Sequence, residues 1–367
     1  MKIKSLLLGS AAALFAASGA SAADAIIAAE PEPVEYVRVC DAFGNGYFYI
    51  PGTETCLRIS GYVWFQVGAT NVSWEDEYDD SWENSTRARV NIDARSDTEW
   101  GELASRIRLQ GTWGTNTDGP DLIDQAWIRL GGLFMGYSES YWVNAYNTGP
   151  TNFGSHSWDG MGYGYQQRHQ IGYTFNTGNF YIAGSVEDNQ GTDWTPNFVG
   201  KVGGALGPVN LFVKAGYDAD TENAGYGAGL VTDVGSAGNF ILYGYYAEGA
   251  TAYGGNKSFA ADTGTGLCTF GGLGVFSNCQ LTPEWSVLGS FRWQFTPEFS
   301  ASIGGQYFGD FYFPASTVST GIDAWQAELE LVWTPVTDFE IRAYIQYFDA
   351  DQVGEITTGF LRFTRSF

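Results

Sequence analysis

The C-terminal segment, residues 355–367 (EITTGFLRFTRSF), constrains the fold more than any other part of the chain. Leu361, Phe363 and Phe367 lie on one face of this segment, and Arg362 lies on the other. Successive side chains of a β-strand point to opposite faces of the sheet, so the pattern predicts a strand. An apolar face that ends at an aromatic residue is typical of the closing strand of a membrane β-barrel. Because the alternation recurs along the chain, the sequence predicts an all-β protein.

The N-terminus has the three parts of a secretory signal peptide. Two lysines precede an apolar run at residues 6–17, and the small residues ASA follow at 20–22, which is the pattern of a cleaved signal. We therefore expect a signal peptide at residues 1–22 and one outer-membrane β-barrel domain at residues 23–367. Without the two lysines the net charge is 16 − 41 = −25. No later segment approaches the roughly 20 apolar residues of a spanning helix, so a membrane location requires strands.

Composition favours strands over helices. The chain has 49 glycines and 16% aromatic residues, whereas a glycine inside a helix costs about 1 kcal/mol. The mean hydropathy of −0.15 fits a barrel wall, whose side chains face lipid and water in turn. The acidic net charge argues against nucleic acid as a partner, because phosphates require a basic surface.

Sixteen segments have the length and the alternation of membrane strands. They run near residues 57–69, 85–96, 101–111, 122–131, 132–139, 168–177, 179–187, 198–206, 210–218, 226–234, 239–248, 286–295, 299–308, 323–333, 338–348 and 356–367. Aromatic residues at the ends of their apolar faces fit the two interfaces of a bilayer better than a soluble β-sandwich. Short turns alternate with longer links, and an even strand number places both termini on the periplasmic side. A transmembrane antiparallel β-barrel of 16 strands leaves an aqueous channel, so its function depends on what narrows it.

The longest link in the first half of the chain, residues 140–167, is rich in Gly, Asn, Tyr and Ser. Links of this length inside a compact protein are usually functional or disordered. It follows the fifth predicted strand, and we expect this third external loop to fold into the lumen. It carries Asp159 and has Glu139 at its start, so we expect it to bring carboxylates to the constriction.

Arginines are concentrated on the predicted second, third and fourth strands. They alternate with apolar residues, as Arg87 and Arg89 do with Ala88 and Val90, so one face of each strand is cationic. The candidate constriction residues of this face are Arg87, Arg89, Arg95, Arg106, Arg108 and Arg129. Opposite loop carboxylates, they are expected to create a transverse field that orders water and disfavours apolar solutes. The alternative is a set of ordinary solvated faces with local ion pairs, such as Arg87 with Asp93.

The four cysteines fall into two local pairs, Cys40 with Cys56 and Cys268 with Cys279. In a chain exported to an oxidising compartment, this spacing predicts two disulfides with short loops, and free thiols are the alternative. Neither pair has the CxxC spacing of a metal site or a nearby histidine. We therefore expect no metal site and no cofactor.

Residues 39–63 (VCDAFGNGYFYIPGTETCLRISGYV) resemble the N-terminal signature of the alphaproteobacterial porin family, the Brucella and Rhizobium type of major outer-membrane porin. With the signal peptide, the length and the terminal Phe, the resemblance covers the whole chain. It implies a homotrimeric general diffusion porin, in contact with outer-membrane lipid and lipopolysaccharide, through which small hydrophilic solutes and ions pass. Arg365 departs from the apolar lipid-side face of the closing strand, at a cost of about 0–1 kcal/mol near the interface.

Two other functions are compatible with parts of the sequence. A barrel phospholipase needs a nucleophile and a base, and the only histidines are His156, which follows Ser155, and His169. Adjacency in sequence does not establish the required hydrogen bond, so we expect no enzyme. A structural or adhesin-type barrel with an incidental pore is the second alternative, and its support is the acidic segment 74–83 (WEDEYDDSWE). Conductance separates this alternative from a porin.

The distribution of charge predicts a weak preference for cations. Most of the negative charge is expected in loops at the mouth, where the constriction arginines oppose it, and screening over about 8 Å limits its reach. The acidic segment 74–83 offers oxygen ligands for divalent cations, although a solvated, self-repelling loop fits its spacing better.

Overall fold

The computed structural model describes residues 38–74, 77–114, 118–143, 154–158, 160–191, 194–258, 261–262, 268–269, 275–276 and 280–367. The predicted signal peptide, Asp159 and Cys279 lie outside the described residues. No helix in the described part of the chain is long and apolar enough to cross a membrane. Outside the barrel strands there are a 3-10 helix at Asp41–Phe43 and two-residue strands at Phe48–Tyr49, Lys257–Ser258, Ala261–Asp262, Cys268–Thr269, Val275–Phe276 and Gln280–Leu281.

Sixteen long strands form the wall of the unit Val39–Phe367. They are β1 (Cys56–Trp74), β2 (Glu77–Thr98), β3 (Gly101–Gly114), β4 (Asp118–Leu130), β5 (Leu133–Glu139), β6 (Gln167–Asn176), β7 (Phe180–Glu187), β8 (Asn197–Leu206), β9 (Val209–Asp218), β10 (Asn223–Val234), β11 (Gly238–Ala247), β12 (Pro283–Thr296), β13 (Phe299–Phe311), β14 (Ala324–Val336), β15 (Phe339–Ala350) and β16 (Gly354–Ser366). The predicted strand number is confirmed.

Every strand pairs antiparallel with the next, and β16 pairs with β1, which closes the barrel. The seam runs from Tyr62, opposite Ser366, to Trp74, opposite Gly354. Gly61 and Phe367 extend it with two backbone hydrogen bonds of 2.9 and 3.0 Å. Closure satisfies the backbone groups that an open sheet leaves at its edges, as a membrane-spanning sheet requires.

The two faces of each strand differ in polarity as the alternation predicts. On β8, Phe198 is 50% exposed and Val202 is 38% exposed, whereas Asn197 and Lys201, which lie on the opposite face, are buried. Aromatic pairs such as Trp285 with Tyr307, whose ring centroids are 5.3 Å apart, lie on the outward face. Apolar residues therefore dominate the outward face, whereas the inward face carries polar residues together with a buried apolar cluster that includes Val199 and Phe212.

Of the acidic segment 74–83, predicted as a loop, the described residues lie in strands. β1 extends to Trp74 and β2 begins at Glu77, and the two strands remain paired along the segment, with Val72 opposite Asp79. The sequence of residues 77–83, EYDDSWE, lacks the apolar alternation by which the other strands were recognised.

The structure also bears on the predicted disulfides and on Arg365. The disulfide between Cys40 and Cys56 is confirmed, with a distance of 6.0 Å between their Cα atoms. The predicted partner of Cys268 lies outside the described residues. Arg365 is exposed, and its guanidinium lies 3.2 Å from the Asp338 carboxylate in the turn between β14 and β15, so a charge partner accompanies it on the outward face.

Candidate pore constriction

The six candidate arginines, called the arginine wall below, lie on three neighbouring strands. Arg87, Arg89 and Arg95 are on β2, Arg106 and Arg108 are on β3, and Arg129 is on β4. Ile107 and Leu109, which alternate with the arginines of β3, are exposed on the outward face. The strand pleat therefore directs the arginines into the barrel.

Asp93 of β2 holds two guanidinium groups from its neighbouring strands. Its Oδ1 atom lies 2.7 Å from Arg106 Nε, and its Oδ2 atom lies 3.2 Å from Arg58. Asp93 therefore pairs with Arg106 and Arg58 and not with Arg87, which the sequence offered as its local partner. The sequence analysis missed Arg58, although its position on the polar face of β1 was available as a signal.

Glu102 of β3 has the same role near the turn between β2 and β3. Its carboxylate lies 3.3 Å from Arg95 and also contacts Arg129. Carboxylates inside the wall thus pair with its arginines, and this weakens the transverse field that was expected between the wall and the third loop.

Arg108 lies at the centre of a further cluster. Its guanidinium is 3.3 Å from Asp124 and 3.9 Å from Glu139, and Asp124 is also 3.7 Å from Arg89. Gln125 donates a hydrogen bond of 3.3 Å to Glu139. Of the two predicted carboxylates, Glu139 therefore meets the arginine wall, and it does so from the end of β5.

Aromatic rings cover the guanidinium groups at the seam of the barrel. Arg87 donates a hydrogen bond of 2.8 Å to Thr112, and its Cζ atom lies 5.2 Å from the centre of the Trp64 ring. Arg362 approaches the same ring to 4.7 Å and donates a hydrogen bond of 2.8 Å to Gln66. A cation over an aromatic face is attracted by the ring quadrupole, so Trp64 holds one guanidinium from each side of the seam.

Trp158, on the link between β5 and β6, reaches this part of the wall. Its ring lies 5.0 Å from the Cζ atom of Arg362 and 5.7 Å from that of Arg342, and it packs edge-on against Tyr62 at 6.2 Å. Its backbone N–H also donates a hydrogen bond of 3.0 Å to Glu330. The link therefore contacts inward-facing groups of β1, β14, β15 and β16.

The start of the same link is fixed by Glu187, the last residue of β7. This carboxylate is fully buried and accepts hydrogen bonds from the Ser140 hydroxyl (2.7 and 2.9 Å), the Tyr141 N–H (2.9 Å), the Ser185 hydroxyl (2.8 Å) and the Tyr253 hydroxyl (3.0 Å). Burial raises the pKa of Tyr253, so its hydroxyl remains a donor. A carboxylate with this many donors is a strong attachment point.

Trp142 continues the attachment along β9. Lys214 donates a hydrogen bond of 2.8 Å from its ammonium group to the Trp142 carbonyl, and this ammonium lies 3.9 Å from the Trp142 ring. The same ammonium group lies 5.0 Å from the centre of the Tyr245 ring. The link thereby covers an inward-facing lysine, and both residues are buried.

His156 attaches the link to β11 and β12. Its Nε2 atom donates to Asn239 and its Nδ1 atom accepts from Ser290, both at 2.8 Å, in the tautomer that satisfies both groups. The Ser290 hydroxyl also accepts the His156 N–H at 3.2 Å and is 2% exposed. Burial, more than the nearby Arg292, lowers the pKa of His156. The composition is that of a serine, histidine and asparagine triad, but the Ser290 hydroxyl already bonds to both the ring and the backbone N–H of His156, so the arrangement serves attachment.

A second long link joins β11 to β12, and the sequence analysis did not assign it a role. Its residues 253 and 254 lie against the first link. Tyr253 is fully buried, and its ring packs edge-on against Trp142 at 5.8 Å. Gly164 has φ +75°, and a Cβ there lies 2.4 Å from the Gly254 carbonyl oxygen. The two links approach backbone to backbone at a position that admits only glycine.

The comparisons with known proteins agree with this architecture. The model of the porin subfamily matches residues 24–360. Outer membrane protein IIIA of Rhizobium leguminosarum bv. viciae is 33% identical over 382 residues, which cover 98% of this chain and 93% of that protein. Porin Omp2b of Brucella suis is 45% identical over 215 residues, which cover 54% of this chain and 56% of that protein.

Among solved structures, the outer membrane channel DcaP of Acinetobacter baumannii superimposes with a TM-score of 0.64 at 13% identity, over 87% of this chain and 99% of that chain. At this identity the similarity shows the fold alone. The structural similarity confirms the fold. The family match to residues 24–360 and the identity with outer membrane protein IIIA confirm the resemblance to the Rhizobium and Brucella proteins. The chain belongs to the porin subfamily, a family of outer-membrane channel proteins.

Proposed function

We propose that the protein is a general diffusion porin whose channel is narrowed between the arginine wall and the link 140–166. The observation that carries this proposal is the position of the link. Its residues bond to inward-facing groups from Glu187 on β7 to Glu330 on β14, and Trp158 packs on Tyr62 of β1. A segment attached to both sides of the wall leaves passage only for water and small hydrophilic solutes.

The charges of the constriction are arranged to attract polar solutes without holding ions strongly. Arg106 and Arg108 face carboxylates at 2.7 and 3.3 Å, so the local net charge is small. Arg87 and Arg362 present guanidinium groups beside an aromatic ring. The excess of 41 acidic over 18 basic residues in the chain then favours cations weakly, within the screening length of about 8 Å.

The oligomer and the processing of the chain complete the proposal. The resemblance to the alphaproteobacterial porins supports a homotrimer embedded in outer-membrane lipid and lipopolysaccharide. The cleavage site after residue 22 and the periplasmic position of both termini belong to the same proposal. The mass of the purified oligomer in detergent and the N-terminal sequence of the mature chain test the first two points.

The decisive experiment is conductance in planar bilayers under a salt gradient. A porin gives stable steps of current, and the sign of the reversal potential gives the selectivity of the channel. Folded protein that inserts into the bilayer without conducting contradicts the proposal and favours the structural or adhesin-type barrel. A clear anion preference contradicts only the proposed selectivity.

A further inference from the structure

A polar pocket of about 250 Å³ lies on the inner wall beside the link 140–166. Strands β12 to β15 and His156 of the link line it. Because the lining side chains belong to the inward face, the pocket opens to the channel. Its charged and hydroxyl-bearing members on the strands and the turn after β12 are Arg292, Glu298, Ser300, Ser302, Glu330, Thr334, Glu340 and Arg342.

The charges of this pocket divide into a satisfied group and an unsatisfied group. Arg342 lies 2.8 Å from Glu330 and 2.9 Å from Glu340, so its positive charge is fully paired and the three groups together keep one negative charge. Arg292 and Glu298 are exposed, and neither forms an ion pair within 4.0 Å with any residue that the structure describes. The pocket therefore presents to a solute one guanidinium and one carboxylate that have no ion-pair partner, and this carboxylate accepts a hydrogen bond of 3.0 Å from the Thr296 hydroxyl.

Two serine hydroxyls lie on the strand that pairs with the strand of Arg292. Ser302 is opposite Arg292 in the register of β12 and β13, and Ser300 is opposite Gln294. Both serines are buried, and neither hydroxyl bonds to another group in the described part of the chain. A hydroxyl and a guanidinium together form a donor set for a carboxylate, which a guanidinium binds with two parallel hydrogen bonds.

We propose that this pocket binds small zwitterionic solutes, namely free α-amino acids, as they pass through the channel. The solute carboxylate lies on Arg292 and Ser302, and the solute ammonium group faces Glu298. A dianion is disfavoured because the five charged groups of the lining sum to one negative charge, and an organic cation without a carboxylate leaves Arg292 without an anionic partner. This inference rests on the proposed function, since the pocket is reached through the open channel.

The test measures how solutes reduce the current through single channels in about 0.1 M salt, where charges are screened over about 10 Å. Serine carries both charged groups, 3-hydroxypropionate lacks the ammonium group, and ethanolamine lacks the carboxylate. We expect serine to reduce the current at a concentration about tenfold lower than either analogue, as the gain of one charge-assisted hydrogen bond implies. Glycerol, an uncharged solute of similar size, measures the reduction that comes from volume alone.

Variants connect the effect to the two residues. Arg292→Gln is expected to raise the half-saturating serine concentration about tenfold, because one charge-assisted contact is lost. Glu298→Gln is expected to do the same for serine while leaving 3-hydroxypropionate unchanged. Arg365→Gln, which removes an exposed arginine outside the pocket, is the matched control and is expected to behave as the natural protein does.

The outcomes separate the two levels of the proposal. Equal effects of serine and glycerol, or an unchanged serine effect in Arg292→Gln, overturn the binding site while the channel function stands. Absence of current in the natural protein overturns the channel function itself. A serine effect that only Arg292→Gln weakens overturns the role of Glu298 and reduces the pocket to a carboxylate site.

Discussion

Glu187 gives the sharpest test of how the constriction is held. Glu187→Ala leaves four donors without their acceptor, namely the hydroxyls of Ser140, Ser185 and Tyr253 and the N–H of Tyr141. Each buried donor without a partner costs about 1–3 kcal/mol. Because the hydroxyls can rotate toward other acceptors, the low end applies, and the four together give about 4 kcal/mol. The ratio of detached to attached link then rises about a thousandfold, at 1.4 kcal/mol per factor of ten.

Single-channel recording measures this change. We expect Glu187→Ala to conduct more than the natural protein and with larger current noise, because both long links lose their common attachment. Glu187→Gln keeps one acceptor oxygen and is expected to fall between the two. Glu248→Gln is the matched control, since Glu248 is exposed and accepts one hydrogen bond, from Tyr226. Resistance of the folded barrel to heat in detergent checks that the wall is intact.

An unchanged conductance in Glu187→Ala, with the barrel folded, refutes this reasoning. It means that the link stays attached through its other contacts, among them those of Lys214, His156 and Trp158. A loss of folded barrel in Glu187→Ala but not in Glu187→Gln moves the role of Glu187 from the links to the wall, and conductance of the Gln variant then measures what remains of the attachment.

Three further predictions concern selectivity, pH and the disulfide. Arg87→Ala and Arg89→Ala are expected to shift the reversal potential toward cations while the barrel still folds, and Arg87→Lys is the control. A lipid-facing arginine costs about 2–4 kcal/mol. Unchanged selectivity with higher thermal stability therefore contradicts the inward register of these arginines. Burial lowers the pKa of His156, so as the pH falls below about 6.5 the detached link takes up a proton that the attached link does not. Current noise is therefore expected to rise at acid pH in the natural protein and not in His156→Gln, and a pH profile shared by both contradicts this. Cys40→Ser is expected to cost about 3 kcal/mol in the free energy of unfolding, and free thiols at both positions in peptide maps of the natural protein contradict the bond.

The fold was predictable because one physical rule acts on every strand. A wall between lipid and water needs apolar and polar residues in strict alternation, and this made β12 to β16 readable from segments such as 299–308. The rule fails where the sequence does not alternate, as in residues 77–83, which lie in β2 although the sequence predicts a loop there. Where a strand extends beyond its apolar face, the sequence no longer alternates, so the end of the strand cannot be predicted in this way.

The constriction was predictable in part. Alternation identified Arg106 and Arg108 as inward-facing, but their partners depend on the register between strands, which a single strand does not encode. The sequence therefore offered Arg87 as the partner of Asp93, whereas the register pairs Asp93 with Arg106 and Arg58, and it offered no partner for Asp124. Arg362 was identified as polar, yet its place beside Trp64 follows only from closure of the barrel. The role of Glu187 depends on two links that meet far from it in sequence.

The seam between β1 and β16 also has a consequence for the time course of folding. Gln66 and Arg362, which bond across it, are 296 residues apart, whereas Arg89 and Gln110 on adjacent strands are 21 apart. Each doubling of a closed loop costs about 0.6 kcal/mol of chain entropy, so the seam costs about 2 kcal/mol more to close than a neighbouring pair. Contacts of this separation form late and make folding slow. Until they form, β1 and β16 both expose unpaired backbone edges, and this interval is when the chain is most open to pairing with another copy of itself.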